Sequence, residues 1–160
     1  MKSGVESDDI KEKEMQRIVH LINPHFIFNT LAAIRIVTKT DADMAYDMIY
    51  DLSKYLRALF QSLTSRENIP FREEVAHILS YTNLEKLRFG DNIVIHMDIK
   101  EKEFVLPPLL IQPLVENAII HGLKRGKRKG TIWIRSFRTR SEYIVQVEDN
   151  GLGFDVEEYS

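Results

Sequence analysis

The sequence has no cysteine, little surplus charge and no long apolar run. Without cysteine among its 160 residues, the chain can form neither disulfide bonds nor thiolate metal sites. Lysine and arginine total 22 against 24 acidic residues, a net charge of −2, so the basic surplus typical of nucleic-acid-binding proteins is missing. No apolar stretch approaches the roughly 18 residues that a membrane span needs, and the charged amino terminus does not resemble a signal peptide. We therefore expect a cytoplasmic protein, or the cytoplasmic part of a larger one.

Residues 1–66 are predicted to form a helical hairpin. Asp9 and Glu12 have the spacing of a capping box, from which a helix is expected to run to Val37. Its Leu21–Val37 part is apolar on nearly every side, which predicts packing partners all round. After a turn at Thr40–Asp43, apolar residues recur at three- and four-residue spacing: Met44, Met48, Leu52, Tyr55, Leu56, Leu59 and Leu63. One hairpin cannot cover this surface, so we predict a homodimer in which two hairpins form a four-helix bundle.

Residues 67–160 are predicted to form a second domain of the α+β class, because the composition changes near "SRENIP". A helix ended by Gly90 is followed by the strand "NIVIHMDI". We expect Pro107 and Pro108 to open the next helix and Gly122 to close it. "TIWIRSF" and "EYIVQVE" predict a β-hairpin about Thr139–Ser141. This order predicts helices packed on one face of a sheet.

His25 follows Pro24 in the mostly apolar run "HLINPHFIFNTL". A lone histidine on a helix is more often structural than chemical. No carboxylate lies three or four positions away and no other histidine stands at ligand spacing, so a metal site is not indicated. As a nucleophile it would have to present a neutral nitrogen near pH 7, which histidine can do. Asn29, one turn later, could orient the ring. Pro24 removes a backbone donor and is expected to kink the helix beside the histidine.

The segment "QPLVENAIIHG" carries polar residues in an apolar helix. Gln112 and Glu116 are four apart, as are Asn117 and His121, so each pair shares a helix face. The amide oxygen of Asn117 suits Mg²⁺, which prefers oxygen ligands. The alternative is an ordinary core helix whose polar side chains point outward, and the residues alone leave both open.

The segment "VEDNGLGF" ends the last predicted strand with Asp149. Gly151 and Gly153 would let the backbone approach a flat ligand or a phosphate, and a carboxylate there can accept a hydrogen bond from a purine amino group. Asn-Gly is also a common turn dipeptide, so a plain turn is the alternative. The basic run "LKRGKRKG", residues 123–130, would either attract phosphate or form a solvated loop.

Taken in order, "NPHFIFNTL", "RFGDNIVI", "LPPLLIQPLVENAIIHG" and "VEDNGLGFD" resemble the signature blocks of bacterial sensor histidine kinases of the autolysis-regulator and sugar-sensor type. The resemblance implies a dimerisation and phosphoacceptor hairpin in residues 1–66. It implies part of a Bergerat-type α/β-sandwich ATP-binding domain in residues 67–160. It further implies ATP and Mg²⁺ as cofactors, a homodimer, and a response-regulator receiver domain as partner. No direct nucleic-acid contact is implied, and membrane attachment would come only through preceding sensor segments.

The same resemblance implies three catalytic residues. His25 would be the phosphoacceptor that attacks the γ-phosphate of ATP, with Asn29 orienting its ring. Glu116 would aid the nucleophile or the metal. The phosphoryl group would then pass from His25 to an aspartate of the response regulator.

It also implies five residues that bind the nucleotide. Asn117 would hold Mg²⁺ against the phosphates, and His121 would lie near them. Asp149 would bind the adenine amino group, and Gly151 and Gly153 would shape the pocket around the base.

Three departures from the family pattern follow from the residues present. Phe26 stands where many histidine kinases have an acid beside the phosphoacceptor. Ile120 stands where relatives often have a lysine, a contact that Lys124 or Arg125 would have to replace. The chain is expected to stop before the lid and the second glycine-rich box, and so to bind ATP weakly or not at all by itself. Two other interpretations stay open: a non-catalytic dimerisation or scaffold module, and a hydrolytic ATPase in which Glu116 orients water.

Overall fold

The computed structural model describes residues 23–64, 67–123 and 129–151, in which helices pack on a small mixed sheet. The helices are α1 (Pro24–Val37), α2 (Ala42–Thr64), α3 (Phe71–Phe89) and α4 (Gln112–Leu123). The strands are β1 (Ile69–Pro70), β2 (Ile93–Ile99), β3 (Val105–Leu106), β4 (Gly130–Arg138) and β5 (Tyr143–Asp149). The predicted α+β class is therefore confirmed. Within the described ranges, no helix combines the length and the apolar character needed to cross a bilayer.

The first described helix, α1, begins at Pro24 rather than bending there. Asn23 has extended backbone angles (φ −91°, ψ 90°), and its side chain accepts a hydrogen bond from the Phe26 N–H at 3.0 Å. Proline is favoured at the first helical position because the N–H that it lacks would have no partner there. The sequence predicted one helix that continues through Asn23 with a kink at Pro24. That prediction is wrong, because Asn23 is not helical and the helix begins at Pro24. The predicted capping box at Asp9 and Glu12 lies outside the described residues.

The predicted hairpin of α1 and α2 is present. Asp41 caps α2, because its side chain accepts a hydrogen bond from the Met44 N–H at 2.9 Å. The apolar stripe of α2 is buried at Met48, Leu52, Tyr55 and Leu59. Large apolar side chains on the remaining surface stay exposed, among them Phe28, Ile36, Tyr46, Ile49 and Phe60. One chain thus leaves uncovered the surface that a four-helix bundle would bury, and the bundle itself stays a prediction.

The three-stranded sheet has the order β2-β4-β5. β2 runs parallel to β4, from Ile93 opposite Gly130 to Ile99 opposite Ser136. β4 and β5 form the predicted hairpin, whose turn is closed by a 2.8 Å hydrogen bond from Thr139 N to the Glu142 carbonyl. Parallel neighbours need a crossover connection, which here includes α4. The buried face of β4, at Ile132, Ile134 and Ser136, therefore lies under the helices.

The loop that leads into α4 is organised by Glu74 of α3. Its fully buried carboxylate accepts hydrogen bonds from the backbone N–H groups of Leu109 (2.9 Å), Ile111 (3.0 Å) and Gln112 (3.2 Å). The first N–H groups of a helix have no partner within it, and a negative charge is stabilised there. Glu74 thus caps α4 from a different helix.

The predicted bounds of α4 are wrong at both ends. Pro107 and Pro108 do not open the helix, because a turn containing Leu109 at φ 57° separates them from Gln112. Gly122 does not close it, because α4 includes Leu123. A second unpredicted feature is the antiparallel pairing of β1 with β3, which puts Ile69 opposite Leu106.

Candidate active site

A cavity of about 1040 Å³ lies between α4 and the β4–β5 hairpin. Asn117 and His121 of α4 line it, together with Asp149 and Gly151 at the end of β5. Apolar walls come from Leu114, Ala118, Phe137, Ile144, Val145 and Val147, and Gln146 completes the lining. Sites for small molecules typically measure about 300–1,000 Å³ and are mostly apolar with a few polar groups. We call this space the nucleotide cavity, after the ligand that the sequence resemblance implies. Four of the five predicted binding residues surround it, and Gly153 lies outside the described residues.

The end of β5 is held firmly against β4 and α4. Asn150 exchanges two hydrogen bonds with Thr131, accepting at 2.9 Å through its side chain and donating at 3.1 Å from its backbone. Oδ1 of Asp149 accepts a 2.7 Å hydrogen bond from the Gly151 N–H. A Cβ atom on Gly151 would lie 2.8 Å from the carbonyl oxygen of His121. Glycine is therefore required because the chain passes directly over the α4 backbone, a reason different from the predicted approach to a ligand.

Glu116 does not line the nucleotide cavity, although it adjoins Asn117 in sequence. Successive helical residues point about 100° apart, and Glu116 faces the hairpin instead. Gln112 and Glu116 share a helix face, as their spacing predicted, and Gln112 donates a 3.0 Å hydrogen bond to Glu116 Oε1. Burial raises the pKa of Glu116, and the neighbouring Gln112, Tyr55 and Asn23 side chains oppose that rise. The Tyr55 hydroxyl is buried near Glu116 without a hydrogen bond of regular geometry to a described residue.

A second cavity, of about 330 Å³, lies where α1, α3 and α4 meet; we call it the histidine cavity. Its lining consists of Asn23, His25, Phe26, Tyr81, Glu85, Arg88, Phe89, Ile119 and Ile120. His25 is exposed, so it is not a core histidine. The Asn29 side-chain nitrogen lies 3.0 Å from Nδ1 and 3.2 Å from Nε2 of His25, which agrees with the predicted orienting contact.

The histidine cavity also contains an acid that the sequence analysis missed. Glu85 is only 3% exposed, and its Oε1 accepts a hydrogen bond from Arg88 Nη1 at 2.9 Å. Burial raises the pKa of Glu85 to about 7, against the opposing effect of Arg88 and with a further rise from Glu116. The sequence carried no signal for this burial beyond an acid and a base three residues apart, which is common on helix surfaces.

The two cavities lie on opposite faces of α4 and share no lining residue. Asn117 and His121 face the nucleotide cavity, whereas Ile119 and Ile120 face the histidine cavity. The isoleucine that replaces the lysine of the family pattern is therefore turned away from the nucleotide cavity. Its expected replacements, Lys124 and Arg125, lie outside the described residues.

Asn117 is the residue through which the nucleotide cavity could hold Mg²⁺. Among the described residues there is no cluster of three or more histidine, aspartate or glutamate side chains that could hold a metal by themselves. Mg²⁺ usually keeps several waters and binds through one or two protein oxygens together with substrate phosphates. An exposed amide oxygen on the cavity wall fits that mode of binding and does not fit a cage made by protein alone.

Comparison with known proteins gives a consistent set of matches. The family model described as "Histidine kinase" matches residues 13–93, just over half of the 160-residue chain. YwpD of Bacillus subtilis (strain 168) is 38% identical over 148 residues, covering 90% of this chain and 52% of YwpD. The sensor histidine kinase YpdA of Escherichia coli (strain K12) is 39% identical over 143 residues, covering 89% and 25%. The sensor protein LytS of Oceanobacillus iheyensis is 35% identical over 159 residues, covering 96% and 27%. The chain thus spans between a quarter and about half of the length of these relatives.

Proposed function

This chain belongs to the histidine kinase family, and on that premise we propose that it forms the core of a two-component sensor kinase. ATP would phosphorylate His25, and the phosphoryl group would pass to an aspartate of a response-regulator receiver domain. One observation carries the proposal: a chain with an exposed histidine at a helix N-terminus also surrounds a nucleotide-sized cavity with Asn117, His121, Asp149 and Gly151. We place the reaction in the cytoplasm, where ATP is present.

The side chains around the nucleotide cavity divide the work of binding. The Asp149 carboxylate is anchored through Oδ1 by the Gly151 N–H, and its Oδ2 would accept a hydrogen bond from the adenine amino group. The apolar walls would cover the base and exclude water from it. Asn117 would hold Mg²⁺, which bridges the phosphate oxygens and offsets their charge. His121, on the same face as Asn117, would contact the phosphates.

The phosphoacceptor is prepared on the opposite side of α4. Asn29 contacts the His25 ring and limits its rotation, so less orientational freedom is lost when the ring attacks. Because the two cavities face away from each other, we propose that the phosphoryl donor is the nucleotide cavity of the partner subunit in a dimer. The exposed apolar surface of the hairpin supports such a dimer.

The test of function uses the longest native form of the protein that contains these residues. With γ-labelled ATP and Mg²⁺, we expect acid-labile, base-stable label on the wild type and none on His25→Ala. His96→Ala is the matched control, because His96 stacks on Trp133, away from both cavities, and should label normally. Free phosphate without protein label would instead indicate an ATPase, and the absence of both products would indicate a scaffold.

Mixing two inactive variants tests transfer between subunits. His25→Ala retains a nucleotide cavity, and Asn117→Ala retains the phosphoacceptor. Transfer between subunits predicts label on the Asn117→Ala chain once the two exchange into mixed dimers, and on neither variant alone. Label on neither chain of a verified mixed dimer would refute this donor route, whereas the His25→Ala result would still stand.

Dimerisation is tested by light scattering at micromolar concentration. Ile36 is 65% exposed on the hairpin, and Ile36→Asp should turn a wild-type dimer into a monomer because it buries a charge in the apolar interface. Lys39→Asp, in the turn between α1 and α2, is the control and should remain dimeric. A monomeric wild type at this concentration would contradict the bundle.

A further inference from the structure

The histidine cavity brings an unassigned acid to the side of the phosphoacceptor. We propose that Glu85 is a catalytic residue that accepts the proton His25 loses when it is phosphorylated. The proposal rests on the proposed function. It names a residue that would take the role of the acid found in many histidine kinases at the position of Phe26. Phe26 is 2% exposed in an aromatic cluster, so the position after the histidine serves packing, and the acid comes from α3.

The geometry of Glu85 suits this role. Glu85 and His25 line one cavity of about 330 Å³, which has room for roughly ten water molecules, so a proton can pass between the two side chains through water. Arg88 holds Oε1 at 2.9 Å and so fixes the carboxylate. No described residue donates a hydrogen bond to Oε2, which is therefore available to accept a proton.

Packing keeps Glu85 beside the hairpin. Tyr81, one turn before Glu85 on α3, packs its ring 4.7 Å from Phe26 and 6.0 Å from Tyr55, measured between ring centroids. Because Phe26 adjoins His25 in α1 and Tyr55 lies in α2, this aromatic cluster ties α3 to both helices of the hairpin. Glu85 would therefore already lie beside His25 when the nucleotide cavity of a partner subunit approaches the exposed side of the histidine.

The charges around Glu85 leave it poised to exchange a proton near neutral pH. Burial raises the pKa of Glu85 to about 7; Arg88, on the same helix, opposes the rise, and Glu116 of α4 adds to it. The other titratable groups that face it are His25 of α1, Tyr55 of α2 and Tyr81 of α3. A general base works best when its pKa lies near the operating pH.

A ring nitrogen of His25 bonds to the γ-phosphorus of ATP as the bond from that phosphorus to the bridging oxygen of ADP breaks. ADP leaves with the electron pair of that bond. The other ring nitrogen carries a proton that the phosphorylated ring now holds less tightly, and this proton passes to Oε2 of Glu85.

The test measures phosphohistidine formation in Glu85→Gln and Glu85→Ala. Removing a general base typically costs about 10²–10⁴-fold, so we expect the rate to fall about 100-fold. The KM for ATP should not change, because Glu85 does not line the nucleotide cavity. Glu85→Gln keeps an oxygen for Arg88, so it serves even if Glu85→Ala fails to fold. Glu73→Gln, an exposed glutamate in the first turn of the same helix, is the matched control.

Rescue by small carboxylates separates proton transfer from a structural role. Formate and acetate fit a cavity of this size, and each should restore the rate of Glu85→Ala, with acetate more effective because it is the stronger base. Sodium chloride at the same ionic strength should not. Wild-type rates in Glu85→Gln, or rescue that does not depend on the basicity of the added acid, would overturn the proposal. Loss of label in the wild type, or label that persists in His25→Ala, would instead overturn the proposed function.

Discussion

Replacing Glu74 by glutamine should destabilise the protein far more than a change of one atom normally does. The carboxylate receives three backbone N–H groups, two at Oε1 and one at Oε2. In Glu74→Gln the amide oxygen can still accept from the Ile111 and Gln112 N–H groups, but the NH₂ group then faces the Leu109 N–H, which has no acceptor. An unsatisfied buried donor costs about 1–3 kcal/mol, and each remaining bond loses roughly 1 kcal/mol when its acceptor loses its charge. Removal of a buried charge offsets part of this loss, so we expect about 3 kcal/mol in all.

Urea unfolding followed by circular dichroism measures this loss. The midpoint should fall while the m-value stays constant, because the same surface is exposed on unfolding. Hydrogen exchange should quicken first at Leu109, Ile111 and Gln112, which lose their acceptor. The exposed neighbour in Glu73→Gln should change stability by no more than about 0.5 kcal/mol. If Glu74→Gln matched that control, a carboxylate cap on α4 would be the wrong explanation for the loop.

Three further predictions concern two glycines beside α4 and the acid of the histidine cavity. Gly151→Ala puts a carbon 2.8 Å from the His121 carbonyl oxygen, so the end of β5 must shift, and binding of a fluorescent ATP analogue should weaken at least about tenfold. Gly122→Ala meets only ordinary contacts at 3.6 Å, and should stabilise the chain by about 0.5–1 kcal/mol in thermal melts because glycine is a poor helix former. The pKa of Glu85 is about 7 in the folded chain and 4.5, the ordinary value, in the unfolded chain. Between these two pH values the folded chain binds more protons than the unfolded chain, so the contribution of Glu85 to stability falls as pH rises. Glu85→Gln should flatten that part of the pH–stability profile, and an unchanged slope would refute it.

Local patterns predicted the elements whose signal lies within a few residues. The three- and four-residue spacing of apolar side chains located α2, and alternation with a turn located the β4–β5 hairpin. The order of the motifs anticipated that Asn117 and Asp149 would lie on one cavity, although they are far apart in sequence. In each case the deciding interaction is local, or is inherited from a recognisable family pattern.

Features decided by distant residues could not be predicted in the same way. Proline fits the first helical position, a kink or a turn, so the sequence could not show that Pro24 begins α1 while Pro108 lies in a turn. The start of α4 depends on Glu74, which lies 38 residues before Gln112. Glu85 resembled any surface glutamate of an amphipathic helix, because its burial depends on contacts with α1 and α4 that only the folded chain provides.

The position of α4 between the two cavities has a thermodynamic consequence. If an occupied nucleotide cavity alters how tightly α4 packs against the hairpin, then any change in that packing alters nucleotide affinity by the same factor. Such a coupling free energy is typically about 1–3 kcal/mol, which corresponds to roughly 5- to 150-fold in affinity. Through this helix of twelve residues, a displacement of the hairpin would change ATP occupancy, and ATP binding would in turn displace the hairpin.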